Sequence, residues 1–278
     1  MITRREFVTG LCAAGIGSMT SVAALAQNNE STMARIKRTK VLRTGFVAGA
    51  APYFAKSVAT GEWQGFCADF ARQLAASLNV QLQVVDTTWG NAVLDLQSNK
   101  IDCMFGMAPT EQRKKMVGFT APLFENTFTL VARKGFEPKT WDDVNKPEVK
   151  LSVDVGSNQD SFATQTLKNA SVRRFDTSGD ATLALQTGRV DAQVLVALLG
   201  VTVLAKSPSL GHLVVPTPHA AAATAVGVQK EDDQAFVTYV NDWLAKKRAA
   251  GEIKSTVLAN MQKLVGVDPK SFPKEVTL

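Results

Sequence analysis

Apolar positions between Val41 and Gly106 follow two different periods, and each switch between them marks an element boundary. Val41–Val47 is rich in apolar residues and predicts a strand, whereas over 65–78 the residues Phe66, Phe70, Leu74 and Leu78 recur every four positions, as on one face of a helix. Residues 80–85 alternate apolar and polar and predict a second strand. A helix carrying Val93, Leu94 and Leu96 is expected over 91–99, then a strand over 101–106. This β-α-β-α-β rhythm predicts an α/β fold, a mainly parallel sheet with helices on its faces.

The rhythm restarts after Arg133. Gly135-Phe136-Glu137-Pro138 reads as a crossing point, and Trp141-Asp142-Asp143-Val144 opens a second unit. That unit predicts a strand over 151–155 ending in Gly156-Ser157-Asn158, helices over 160–169 and 181–187, and a strand over 191–196. Two helices over 232–249 and 252–265 close the chain, with Phe236, Val240, Trp243 and Leu244 at helical spacing and expected in the core. Residues 27–40 are polar without periodicity and are expected to form a flexible leader, and the alanines at 220–223 read as a loop or strand connection.

Composition changes this picture mainly at the ends. The chain has 278 residues and a net charge of +6. Thr3-Arg4-Arg5-Glu6-Phe7 precedes a modestly apolar stretch that ends at Ala24-Leu25-Ala26, so residues 1–26 read as a cleaved export signal of the twin-arginine type, with an ordinary secretory leader as the alternative. Leu11 before Cys12 argues against lipid attachment, and no later stretch is apolar enough to span a bilayer. The expected location is the periplasm. The basic excess is mild and scattered, as at Lys114-Lys115 and Lys246-Lys247-Arg248, without the basic-aromatic interleaving of a nucleic-acid surface. Cys67 and Cys103 are compatible with one disulfide or with two buried thiols. His212 and His219 are the only histidines and have no clustered acids or cysteines, so no metal and no cofactor is expected.

Several short segments carry a resemblance. They are Gly65-Phe66 with Asp69, Leu96-Gln97-Ser98 before Lys100-Ile101-Asp102, Gly106-Met107 before Thr110-Glu111-Gln112-Arg113, and Val117-Gly118-Phe119-Thr120-Ala121-Pro122. Gly188-Arg189-Val190-Asp191-Ala192 and the helix from Trp243-Leu244-Ala245 to Ala250-Gly251 extend it over nearly everything after the leader. In these pieces the chain resembles the bacterial extracellular solute-binding proteins of the amino-acid type (family 3), which feed ABC importers. The resemblance implies a two-lobed periplasmic-binding-protein fold: lobe 1 from 41–132 and 226–278, lobe 2 from 133–225, and a two-strand hinge near Ala132 and Ala225. It implies a monomeric carrier that takes up a small carboxylate ligand, amino acid or amino-acid-like, and passes it to an inner-membrane ABC permease. Two alternatives stand beside it: a cleft enzyme of the cyclohexadienyl dehydratase type and a ligand sensor for a membrane receptor. No acid stands at Val196 where a proton donor would be expected, and no catalytic triad can be assembled, so an enzyme is not the favoured reading.

In two-lobed α/β proteins the ligand lies at the carboxyl ends of the strands, beside helix N-termini. The resemblance puts Arg113 on the ligand's carboxylate, which a guanidinium grips with two parallel hydrogen bonds. Pairing with Glu111 is the structural alternative for this arginine. Gly106, Met107 and Ala108 are expected on one side of the cleft, and Ser157 and Asn158 approach from the second lobe. Ala108 and Val196 stand where amino-acid-binding relatives present oxygen to the α-ammonium, which favours a carboxylate over a zwitterion; Asp154 is the one replacement charge in reach. Ala50 replaces an aromatic ring of many relatives, leaving room for a ligand body against Tyr53 and Trp89, although Trp89 equally suits a core position.

Overall fold

A computed structural model describes residues 30–268, so the export signal expected at 1–26 and the first residues of the leader lie outside the described residues. The described chain begins with α1 (Thr32–Thr39), β1 (Val41–Val47), a small hairpin of β2 (Ala55–Lys56) and β3 (Trp63–Gln64), then α2 (Phe66–Ser77) and β4 (Gln81–Thr87). It continues through α3 (Ala92–Gln97), β5 (Cys103–Met107), α4 (Glu111–Met116), β6 (Gly118–Phe119) and the long β7 (Phe124–Ala132). The second unit comprises α5 (Trp141–Val144), β8 (Lys150–Asp154), α6 (Asn158–Thr166), β9 (Ser171–Phe175), α7 (Ser178–Gln186), β10 (Ala192–Val196), α8 (Ala197–Lys206) and β11 (His212–Val214). β12 (Ala221–Val228), α9 (Ala235–Ala249) and α10 (Glu252–Val265) finish it.

The strands join in the order β4-β1-β5-β12-β7-β10-β8-β9. At one end β1 runs parallel to β4 and β5; at the other β8 runs parallel to β10 and β9. The fold is thus two βαβ halves, as the two-lobed class requires. β7 and β12 belong to both. β12 pairs through Ala225–Val228 with β5 of the first half, and β7 pairs through Phe128–Ala132 with β10 of the second. They meet each other at Phe124–Thr127 opposite Thr224–Ala221, so the chain crosses between halves several residues before Ala132, which lies inside the second half opposite Ala192. Of the two hinge positions expected near Ala132 and Ala225, Ala225 adjoins the 221–224 segment that pairs with 124–127, and Ala132 lies five residues beyond that pairing.

Other differences have physical causes. Residues 32–39 are helical, not a flexible leader: Met33 and Ile36 are buried, Ser31 caps the first turn through its hydroxyl to the Ala34 N–H, and the Arg35 guanidinium reaches the buried Asp102. Met33 and Ile36 are the only large apolar residues among these eight, too few to display a period, and tertiary contact holds the helix. Three of the four alanines, Ala221–Ala223, lie in β12, where small side chains suit two strands packed at the crossing. In α2, Phe66, Phe70 and Leu74 are buried as expected. Cys67 and Cys103 are buried, unbridged thiols, and burial raises both, Cys103 to about 12.

Candidate ligand cleft

The cleft is built where β5 ends. Gly106 has φ +84°, and a Cβ there would sit 2.9 Å from the Tyr53 ring and 3.0 Å from the Cys67 sulfur, so only glycine lets the strand pass under these side chains. Four residues later Thr110 caps α4, its hydroxyl accepting from the Arg113 N–H at 3.3 Å. The cap turns the Arg113 side chain back into the interior, where it is 5% exposed. Its guanidinium donates to the Ala108 carbonyl at 3.0 Å and, across to the other half, to the Gly156 carbonyl at 2.8 Å. Glu111, its nearest acid in sequence, is exposed and paired with Lys114 at 2.9 Å. Arg113 thus holds two carbonyl dipoles and no ion pair. Burial pushes it down to about 10, which leaves it charged at neutral pH, while Asp154 pulls the other way.

The second half meets this arginine at the loop between β8 and α6. Gly156 has φ +69°, and a Cβ on it would lie 2.6 Å from the Gly90 Cα, so the two halves touch here backbone to backbone. Ser157 caps α6, its hydroxyl accepting from the Asp160 N–H at 3.0 Å; the Asp160 carboxylate accepts from the Gly156 N–H and pairs with Arg174.

Between the halves lies a cavity of about 30 Å³, enough for one or two waters. Of the expected site residues, Tyr53, Trp89, Gly106, Ala108, Arg113, Asn158 and Val196 line it. Trp89 is half-buried and stands edge-on to Tyr53. Four expected residues do not line it. Ala50 and Met107 are packed in the core of the first half, the Met107 sulfur lying against Gly227 on the far side of β5. Ser157 is engaged in its cap. Asp154 is buried with its Oδ1 unpartnered, and burial, only partly offset by hydrogen bonds, raises its carboxyl.

The cavity also draws on four residues the sequence did not single out: Asn126, Thr224, Gln159 and Leu199. Asn126 and Thr224 come from the two crossing strands. Asn126 donates through Nδ2 to the Tyr53 hydroxyl, to which Thr224 also hydrogen-bonds; its Oδ1 has no partner. Burial drives the Tyr53 phenol far above its ordinary range, so it stays neutral. A signal was present, since Glu125-Asn126-Thr127 interrupts an otherwise apolar run before Phe128. No acid or histidine lines the cavity. An outer groove of about 270 Å³ opens along Trp89, Gly90, Thr110, Gly156, Asp160 and Ser161, and Arg113 and Trp89 border both cavity and groove.

A crevice between two linked α/β halves, reached by polar groups from both, is the arrangement of a solute receptor. The chain belongs to the bacterial extracellular solute-binding proteins, family 3, whose model matches residues 42–259. It is 27% identical over 267 residues to an L-cystine-binding protein of Escherichia coli, covering 95% of this chain and 96% of that one. It is 26% identical over 231 residues to the cyclohexadienyl dehydratase of Pseudomonas aeruginosa, covering 82% of this chain and 85% of the enzyme. Among solved structures, an ancestral amino acid-binding protein described as a precursor of cyclohexadienyl dehydratase superposes with a TM-score of 0.73 at 29% identity, covering 84% of this chain and all of that one.

Proposed function

We propose that the protein is the extracytoplasmic receptor of an ABC importer, capturing a small carboxylate, amino acid or amino-acid-like, between two lobes that close over it. The lobes divide at the β7–β12 crossing, with 31–126 and 225–268 in one and 128–220 in the other. The observation that carries this reading is Arg113: a buried guanidinium, contacted by both halves, whose partners are two carbonyl groups. A buried charge without a counter-ion is costly, and a ligand carboxylate supplies the missing charge with two parallel hydrogen bonds. The family's work in amino-acid uptake supports the partner and the location, and the leader at 1–26 fits export by the twin-arginine route. The cleft-enzyme reading is less favoured, because among the described residues no carboxylic acid or histidine stands on the cavity wall.

The same wall offers no anion to an ammonium. Ala108 and Val196 both face the cavity, so a zwitterion would leave its cation desolvated without compensation. A thermal-shift screen of the common amino acids against aliphatic, aromatic and keto carboxylates, followed by titration calorimetry, tests this. The carboxylates are expected to give the larger shifts, and Arg113→Ala to weaken their binding by about 2–5 kcal/mol, the range for removing one member of a buried charged pair. Unchanged affinity in Arg113→Ala would place the carboxylate elsewhere.

A further inference from the structure

We infer that Asn126 is a specificity-determining residue of this cleft, its Oδ1 accepting a hydrogen bond from an uncharged O–H or N–H donor on the ligand. The inference rests on the carboxylate reading of Arg113 and extends it to the ligand's second polar group. Three observations carry it. Asn126 is 2% exposed, lies in the strand shared by both halves, and lines the cavity together with Arg113. Its Nδ2 is spent on the Tyr53 hydroxyl, and Thr224 bonds the same hydroxyl, so a chain of polar groups fixes the amide. The Oδ1 at the end of that chain is buried and has no hydrogen-bond partner among the described residues.

An amide carbonyl buried without a donor is costly, and a ligand donor relieves that cost. Because the cavity residues from the second half, Val196, Leu199, Asn158 and Gln159, are all uncharged, Asn126 is a neutral acceptor with no anion beside it on the wall. A neutral acceptor suits a hydroxyl or amide N–H better than an ammonium, whose remaining protons and charge would stay unmet. The ligand class is therefore a carboxylate that also carries an uncharged hydrogen-bond donor.

Two isosteric series test this on the full folded protein by titration calorimetry. The aliphatic series is valerate, gamma-hydroxybutyrate and gamma-aminobutyrate, with levulinate as an acceptor-only member; the aromatic series is para-toluate, para-hydroxybenzoate and para-aminobenzoate. The hydroxyl member of at least one series is expected to bind about tenfold tighter than its methyl isostere, the worth of one well-made hydrogen bond. Asn126→Leu should abolish that difference, its loss falling on the hydroxyl member more than on the methyl isostere. Asn126→Asp keeps the acceptor and should keep the hydroxyl preference while improving gamma-aminobutyrate; it also covers failure of the leucine variant to fold. A loss shared equally by all members in both variants, or no hydroxyl preference in the wild type, overturns the role of Asn126 and leaves the carboxylate reading standing. Preference for levulinate that Asn126→Asp removes overturns it too, showing the amide N–H facing the ligand. Absence of Arg113-dependent binding across both series overturns both readings.

Discussion

At the residue scale, two buried groups have opposite demands, the Arg113 cation on the cavity wall and the Asp154 carboxyl, which does not line the cavity, and they form no ion pair among the described residues. Asp154 has an unpartnered Oδ1 and a pKa raised chiefly by burial, with Asp160 adding to the rise and Arg113 opposing it. A raised carboxyl favours the folded state only while protonated. As pH climbs above the ordinary aspartate range, the unfolded chain loses its proton first, and the folded state is progressively penalised. Asp154→Asn should therefore raise the melting temperature at pH 7 by a few degrees, with the gain shrinking to nothing as pH falls below that range. Thermal denaturation across pH checks it; a gain independent of pH would assign the effect to packing. The candidate site was legible in the sequence where a backbone signal stood beside the residue. Gly106, Thr110 with Arg113 and Ser157-Asn158 all announce themselves through turns and caps. Thr224 does not, because it reaches the cavity only through the crossing of strands far apart in sequence, and Asn126 shows only as a polar break in an apolar run.

Elements with their own period, such as α2 and β5, were legible in the sequence, and those held by distant partners were not. α1 is the clearest case. Its Arg35 and the Arg43 side chain on β1 converge on Asp102, which is 2% exposed; Arg43 bonds it from its guanidinium at 2.7 Å and from its backbone N–H at 2.7 Å. These groups tie the first helix to the start of β5, whose far end carries the cleft. Removing one partner of a buried charge cluster costs about 3–5 kcal/mol, and the partial exposure of both arginines reduces this to about 2–4 kcal/mol. Asp102→Asn is expected to lose that much in urea unfolding and to increase hydrogen exchange across 32–39, while ligand affinity changes little. Undiminished protection of α1 would mean that Met33 and Ile36 suffice to hold it.

For the whole molecule, the two halves are joined by two strands and touch again at Gly90 and Gly156, backbone against backbone, around a cavity too small for an amino-acid-sized ligand. A ligand therefore enters only if the halves part, and the crossing strands at 124–127 and 221–224 are where the chain can bend. Gly156→Ala probes this directly. The added Cβ would sit 2.6 Å from the Gly90 Cα, against rigid backbone, so it opposes the closed arrangement and leaves an open one free of the clash. The φ of +69° adds about 1 kcal/mol of local strain in either arrangement, so global stability should fall only by about that much. Affinity should fall further, because a ligand that selects the closed state must now overcome a smaller closed population. Small-angle scattering is expected to show the wild type compacting with a saturating, calorimetrically verified carboxylate, and Gly156→Ala compacting less or only at higher ligand concentration. A wild type whose radius of gyration does not change on saturation would mean that binding proceeds without lobe closure, and the contact between Gly90 and Gly156 would then be a fixed part of the fold.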